Sequence, residues 1–185
     1  MPSPRSPAIP PSAVPPLRIA SFTTSLGWVL AAWTPQGLCC VLLGDHPDNL
    51  LIDLCRRFPH HPVQPAHIAD TGLQDAVRHC IEQPHRAYPG PLQPAGTPFQ
   101  QQVWQVLRQI PAGSSISYRE LAERLGRPTA ARAVAAACAA NPLAVLVPCH
   151  RVLDRRGGLA GYRWGVHRKA ELLRREGHPA WLGRD

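Results

Sequence analysis

This sequence of 185 residues lacks the features typical of membrane-spanning, secreted, disulfide-rich or zinc-binding proteins. No apolar run approaches the roughly 20 residues of a membrane-spanning helix, and the N-terminus lacks the basic and then apolar pattern of a signal peptide. The six cysteines show no C-x-x-C pair and no regular spacing, which argues against a disulfide scaffold and a zinc site. Since 44% of the residues are hydrophobic, the chain can bury a core. We expect a folded cytoplasmic protein with reduced thiols and no metal.

Lysine is almost absent, because Lys169 is the only one, and arginine supplies nearly all the positive charge. Residues 1–94 carry six Arg against six Asp and Glu, whereas residues 95–185 carry fourteen Lys and Arg against six Asp and Glu. The whole excess of +8 therefore lies in the second half. A basic surface can simply be solvated, but it can also attract a polyanion such as nucleic acid.

Composition divides the chain into parts of different character. Seven prolines among the first seventeen residues predict a tail that cannot bury enough apolar surface to order itself. A second Pro- and Gly-rich stretch, residues 85–96, predicts a linker between two lobes. We therefore predict a disordered tail over 1–17, an N-terminal lobe over 18–93, a C-terminal lobe over 94–178 and a frayed tail over 179–185.

The N-terminal lobe carries signals for a small sheet followed by helices. Apolar segments at 28–33 and 38–43 flank a Pro-Gly turn signal, which predicts a β-hairpin or a small antiparallel sheet. Helical spacing follows over Asp48–Phe58, with Asp48 as the predicted N-cap, and over Gln74–Gln83.

The C-terminal lobe contains the pattern of a helix-turn-helix motif. Thr97 and Pro98 suit the start of one helix, and Ser117 with Glu120 predicts a capping box at the start of the next. A Gly-Arg-Pro turn separates that helix from an alanine-rich segment, residues 130–140.

The alanine-rich helix has almost no large side chains on one face. At about 100° per residue, the face of Arg132 includes Ala135, Ala136 and Ala139. The opposite face holds Val134, Ala137 and Cys138. A smooth face with one arginine suits contact with a DNA backbone better than base readout, but a tightly packed core helix would give the same pattern.

An apolar stretch, Ala144–Val147, is predicted to be a strand that ends at Pro148 and delivers a cysteine beside two basic side chains. A free thiol has a pKa of about 8.5 and needs a cation or a base nearby to become the nucleophilic thiolate. His150 and Arg151 are such neighbours, so Cys149 is a candidate nucleophile. The alternative is an inert core cysteine, since free cysteine is commonly buried.

The remaining segments predict a turn at 154–158, a glycine-rich loop at 159–165 and a closing helix over His167–Glu176. Three basic residues of that helix, Lys169, Arg174 and Arg175, are predicted to lie on its surface.

Several of these segments, in this order and spacing, resemble the alkylguanine-DNA alkyltransferase family and within it the Ada branch. They are Ser117-Tyr118, Arg132, Asn141-Pro142, the sequence PCHRV at 148–152, and Gly161-Tyr162. The resemblance covers residues 18–177 and is weak in the first lobe. It implies an α+β fold, with a small ribonuclease H-like N-terminal α/β lobe followed by a helical, winged-helix-like DNA-binding lobe.

The resemblance also implies a reaction. The protein would repair 6-O-methylguanine, and 4-O-methylthymine, by moving the alkyl group irreversibly onto its own Cys149, once per molecule. No cofactor would be needed. The implied partner is double-stranded DNA with alkylated bases, with no membrane and no obligatory protein partner, for a monomer in the bacterial cytoplasm or nucleoid.

Individual roles are carried over by position. Cys149 would be the nucleophile, His150 its base through a water, and Glu176 the group that orients His150. Tyr118 would help to turn the nucleotide and hydrogen-bond the departing guanine, while Asn141 would brace the turn that holds the cysteine.

The same carry-over assigns the DNA surface and the pocket. Arg132 would fill the gap left by the flipped base, the face of Ala135, Ala136 and Ala139 would press into the minor groove, and Arg151 would be structural or phosphate-facing. Backbone groups at Cys149 and Val152, with Tyr162 and Arg163, would recognise the guanine edge. Trp164 would narrow the pocket against bulky adducts.

Ada's cysteine-rich metal domain has no counterpart in the sequence, so we expect a stand-alone repair protein without structural zinc. Two alternatives to the transfer reaction remain. A non-catalytic helix-turn-helix damage sensor would lack the nucleophile that Cys149 supplies. A cysteine hydrolase would need oxyanion donors for which the sequence gives no sign.

Overall fold

The computed structural model describes residues 14–67 and 70–181. Within these residues the fold is α+β, as the sequence predicts, with a four-stranded N-terminal sheet in the order β3-β2-β1-β4. The strands β1 to β3 pair antiparallel, and β4 pairs parallel with β1. Their bounds are Leu17–Thr24 for β1, Gly27–Thr34 for β2, Gly37–Gly44 for β3 and Val63–Pro65 for β4.

Two helices cover the sheet, α1 over Pro47–Arg57 and α2 over Thr71–Glu82. Leu50 and Leu54 of α1 join the apolar cluster on one side of the sheet. The other cluster runs from the sheet into the C-terminal lobe without a break. Each lobe therefore buries part of its apolar surface against the other.

The N-terminal lobe departs from the predicted boundaries at three places. Strand β1 begins at Leu17, which is fully buried, so this residue is not part of a tail. Helix α1 has His46 at its N-cap position, without a capping hydrogen bond from the side chain, and Pro47 in its first turn, so the prediction of Asp48 as N-cap was wrong. Strand β4 was not predicted, because three residues ending in a proline leave no alternation to detect. The predicted tail otherwise falls mostly on residues 1–13, outside the described residues.

The C-terminal lobe begins with the capping box of Thr97 and Gln100 at helix α3. The predicted capping box of Ser117 and Glu120 at α4 is confirmed, as is the helix-turn-helix arrangement of α4 and α5. The bounds are Pro98–Leu107 for α3, Ile116–Ser117 for β5, Tyr118–Arg124 for α4, Ala131–Ala139 for α5, Val152–Leu153 for β6 and Val166–Arg175 for α6. None of the helices among the described residues is long and apolar enough to cross a membrane.

The sheet and the cysteine loop are joined by backbone hydrogen bonds. The N–H of Val41 in β3 donates to the carbonyl of Pro142 at 2.8 Å, and the N–H of Ala144 donates back to Val41 at 2.9 Å. The N-terminal sheet thus fixes the chain five residues before Cys149.

Candidate active site

The segment before the cysteine forms consecutive turns and no strand, so the predicted strand over Ala144–Val147 was wrong. Val145 has a φ of 67°, which no strand residue adopts. The side chain of Asn141, which is fully buried, makes hydrogen bonds with this segment of the kind that a neighbouring strand would make. Its Nδ2 donates to the carbonyls of Leu143 and Val147, and its Oδ1 accepts from the N–H of Leu143. The residues of this segment are apolar because most of them are buried, and the segment turns because its backbone is hydrogen-bonded to the side chain of Asn141.

Cys149 begins a 3₁₀ turn, Cys149–Arg151, and is 95% buried, since 5% of its surface is exposed. Burial raises the pKa of this thiol to about 11. A hydrogen bond from Nδ2 of Asn141 to Sγ at 3.3 Å and the charge of Lys169 act in the opposite direction and keep the pKa from rising further. At neutral pH the cysteine is therefore a protonated thiol, with groups in place that favour the thiolate.

His150 and Glu176 form a buried pair behind the cysteine. Nε2 of His150 donates to Oε1 of Glu176 at 2.8 Å, and neither side chain is exposed. Burial lowers the pKa of His150, although the hydrogen bond to Glu176 opposes the shift. Nδ1 of His150 is buried and has no hydrogen-bond partner among residues 14–67 and 70–181. The imidazole is therefore neutral, with Nδ1 as its free basic nitrogen.

Glu176 is held in place by three neighbours. Nε and Nη2 of Arg151 donate to its carboxylate at 2.8 to 3.1 Å, and the N–H of Gly113 donates at 3.3 Å. A Cβ at Gly113 would lie 2.8 Å from the Glu176 carbonyl, so glycine is required at this approach. Burial raises the pKa of Glu176, but the bonds and charges of His150 and Arg151 outweigh it and lower the pKa overall.

Arg151 is buried, which favours the structural one of its two predicted roles over the phosphate-facing one. Only 8% of it is exposed. Besides Glu176, its guanidinium donates to the carbonyls of Ile110 and Pro84. All three guanidinium nitrogens of Arg151 thus hydrogen-bond groups inside the protein, and Arg151 is not the cation that acts on the pKa of Cys149.

The cation near the cysteine is Lys169, which was wrongly predicted to lie on the surface of α6. It is fully buried, and its Nζ donates to the carbonyls of Val152 at 2.6 Å and Leu159 at 2.5 Å. Burial lowers the pKa of Lys169 to about 8, while Cys149 and Cys138 act to raise it. The signal that could have identified it is that the chain's only lysine lies in a helix rich in arginine.

Cys149 opens into a cavity of about 500 Å³ between α4, α5 and the glycine-rich loop. Tyr118 lines this cavity, and burial raises the pKa of its phenol to about 12, so the side chain is a hydrogen-bond donor at neutral pH. The full lining comprises Tyr118, Ala135, Cys138, Ala139, Cys149, Ala160, Gly161, Tyr162 and Arg163. The structure thus brings Tyr118, Tyr162 and Arg163 to the cysteine.

Two residues predicted for the pocket do not line it. The side chain of Val152 is fully buried, and its carbonyl accepts from Lys169. Trp164 is also buried and packs edge-on against Tyr162, with 5.2 Å between ring centroids, and it lines a different cavity, next to α1. Trp164 therefore packs against Tyr162, a lining residue of the cavity, and any effect of Trp164 on the width of the cavity acts through Tyr162.

The helix α5 presents the predicted faces. Arg132, Ala136 and Ala139 are exposed and Ala135 is half-buried. The buried side holds Val134, Ala137 and Cys138. Nε1 of Trp104 in α3 donates to the carbonyl of Ala137 at 2.9 Å, which fixes the inner face of α5. An exposed, small-residue face with one arginine thus borders the cavity of Cys149.

A fold of this kind, with a buried Cys-His-Glu set under a helix-turn-helix, defines the class: the chain belongs to the alkylguanine-DNA alkyltransferase family. Residues 98–178 match the family model described as the DNA binding domain of 6-O-methylguanine DNA methyltransferase.

Individual relatives support this membership. The methylated-DNA–protein-cysteine methyltransferase of Debaryomyces hansenii is 35% identical over 172 residues, which are 86% of this chain and 88% of that protein. The bifunctional transcriptional activator and DNA repair enzyme Ada of Escherichia coli is 48% identical over 163 residues. A crystal structure of Mycobacterium tuberculosis OGT in complex with DNA is 31% identical with a TM-score of 0.71, covering 86% of this chain and 92% of that one.

The chain spans about half the length of several curated relatives that it matches. The match covers 86% of this chain but 45% of Ada, and 45% of this chain but 48% of a methyltransferase from Salmonella typhimurium.

Proposed function

We propose that this protein repairs alkylated DNA by direct and irreversible transfer of the alkyl group to Cys149. The substrates are 6-O-methylguanine, and 4-O-methylthymine, in double-stranded DNA, and each molecule reacts once. The observation that carries the proposal is the position of Cys149, at the base of a cavity whose rim is the exposed face of α5. Membership in the family supports the same reaction.

The nucleophile is activated by its buried neighbours. Neutral His150 takes the thiol proton at Nδ1 through one water, and Glu176 stabilises the imidazolium that forms because its carboxylate already accepts from Nε2. Protonated Lys169 and the amide of Asn141 stabilise the thiolate. Since the resting thiol is protonated, it is spared from reaction with other electrophiles until a lesion is bound.

The transfer itself is an in-line displacement. The sulfur of Cys149 forms a bond to the alkyl carbon while the bond from that carbon to O6 of guanine breaks, and its electron pair leaves with the base. Tyr118 donates a hydrogen bond to the departing guanine, which regains one proton in exchange for the proton lost by the thiol. The thioether is stable, so no step restores the free cysteine.

The lesion must leave the base stack to reach this sulfur, at a cost of a few kcal/mol. Arg132 fills the space that the flipped nucleotide vacates, because it is the long exposed side chain on the small-residue face of α5. Ala136 and Ala139 let the helix backbone approach the minor groove closely.

A titration tests the single turnover. A duplex with one 6-O-methylguanine is supplied in increasing excess, and the remaining lesion is measured after digestion to nucleosides. Repair that stops at one lesion per protein molecule supports the proposal. Continued turnover, or binding without loss of the lesion, would contradict it, and the second result would indicate a damage sensor.

A further inference from the structure

We propose that the ion pair between Asp53 and Arg163 sets the size of alkyl group that the pocket accepts, by holding the wall of the pocket closed from the N-terminal lobe. This inference rests on the proposed function of Cys149. It assigns a positioning role to a carboxylate of α1, far from the reactive cysteine in sequence.

The pair joins three parts of the molecule. Nη2 of Arg163 donates to both carboxylate oxygens of Asp53, at 2.9 and 3.0 Å, and its Nη1 lies 3.5 Å from the carbonyl of Ala139. Arg57 donates to the same carboxylate at 3.4 Å and to the carbonyl of Ala140, also at 3.4 Å. Two arginines thus meet free carbonyls at the C-terminal end of α5, where positive charge is favoured.

Arg163 borders two neighbouring cavities. It lines the cavity of Cys149 and also a second cavity of about 520 Å³ between α1 and the start of α6. Asp53 lines the second cavity and accepts the hydrogen bonds of Arg163 there. Release of the guanidinium from Asp53 would therefore free a lining side chain of the Cys149 cavity to move and widen the room available to the alkyl group.

The loop that carries Arg163 does not hold its conformation by local preference. Ala160 has a φ of 49° and Gly165 a φ of 101°, so a residue with a Cβ occupies the left-handed region at one end of the loop. A conformation of this kind persists when contacts elsewhere fix it, and the ion pair between Nη2 of Arg163 and the carboxylate of Asp53 is such a contact.

The test compares two adducts in the same duplex, 6-O-methylguanine and 6-O-benzylguanine, through their second-order rate constants of transfer. Asp53→Asn keeps the shape of the side chain and removes its charge. We expect the benzyl-to-methyl ratio of rate constants to rise about fivefold. That change equals about 1 kcal/mol at 1.36 kcal/mol per factor of ten, and it is near the upper value for a partly exposed ion pair.

Matched variants separate this role from general loss of structure. Asp48→Asn makes the same charge change at an exposed position of the same helix and should leave the ratio unchanged. Arg163→Gln breaks the pair from the other side and should raise the ratio, and the double variant with Asp53→Asn should raise it no further, because the two residues act as one unit.

The outcomes are distinguishable from failure of the proposed function. If the parent protein transfers no methyl group, the proposed function is wrong. If the parent transfers methyl but Asp53→Asn leaves the ratio unchanged, or slows both adducts equally, the proposed role of the ion pair is overturned. Additive effects in the double variant would overturn it as well.

Discussion

Oε1 of Glu176 lies 2.8 Å from Nε2 of His150, with both side chains sealed from solvent, although 26 residues separate them in the chain. This contact directs Nδ1 of the imidazole to be the acceptor of a proton. The two neighbouring basic side chains, His150 and Arg151, both bind this carboxylate. The charge that lowers the pKa of the adjacent Cys149 comes from Lys169 instead.

Replacement of Glu176 by glutamine should damage both stability and reactivity. The buried guanidinium of Arg151 loses its counter-charge, and the loss of one partner of a buried pair costs about 3 to 5 kcal/mol. Transfer should slow by about 100-fold, since the base loses its orienting carboxylate. Urea unfolding and single-turnover kinetics measure the two effects. Glu171→Gln, at a partly exposed position of α6 where the carboxylate pairs with Arg174 and Arg175, should cost at most about 1 kcal/mol. An equal loss in both variants would contradict the special role of Glu176.

The pKa of His150 predicts how stability changes with pH. Burial lowers this pKa below the ordinary value of 6.5, so in the folded protein the imidazole stays neutral where the unfolded chain binds a proton. The unfolded state then binds more protons, and the free energy of unfolding should fall as the pH drops below about 6.5. Urea unfolding at pH 7.5 and pH 5.5 measures the difference. In His150→Gln the fall should be smaller, and an identical fall would show that other groups cause it.

Lys169→Met should make Cys149 less reactive. Removal of the buried positive charge destabilises the thiolate, so alkylation of Cys149 by a small iodoacetamide reagent should slow at pH values below about 8, where Lys169 is protonated. Mass spectrometry of the modified peptide gives the rate. The exposed Cys55, in the same sample, serves as the internal reference. An unchanged rate at Cys149 would mean that Lys169 only holds the carbonyls of Val152 and Leu159.

Arg132→Ala should impair repair of duplex DNA far more than reaction with the free base. Without the side chain that fills the gap, the few kcal/mol of unstacking are no longer offset, and duplex repair should slow by about 100-fold. Transfer from 6-O-methylguanine as a free base needs no flipping and should proceed at the parent rate. Equal slowing of both reactions would place Arg132 in the chemistry instead of in base flipping.

Local signals in the sequence were sufficient for much of the fold. Capping residues at Thr97 and Ser117, the alanine face of α5 and the Pro-Gly turn of the sheet depend on neighbours within a few residues, and the structure confirms them. The cysteine loop was misread because its hydrogen bonds go to the side chain of Asn141, which leaves an apolar run that looks like a strand.

Long-range contacts account for the errors at the site. The sequence places Arg151 beside Cys149, but the 3₁₀ turn directs the arginine towards Ile110, Pro84 and Glu176. It places Lys169 among surface residues, because nothing nearby in the chain shows that the carbonyls of Val152 and Leu159 lie opposite. Family resemblance supplied the roles of His150 and Glu176, which spacing alone could not connect.

The most direct test of the central claim is the mass of the intact protein after incubation with a duplex that contains 6-O-methylguanine. We expect that one methyl group replaces one hydrogen, that peptide mapping locates it at Cys149, and that Cys149→Ala gains no mass. A protein that binds the duplex without a change in mass, or that carries the methyl group on another residue, would contradict it.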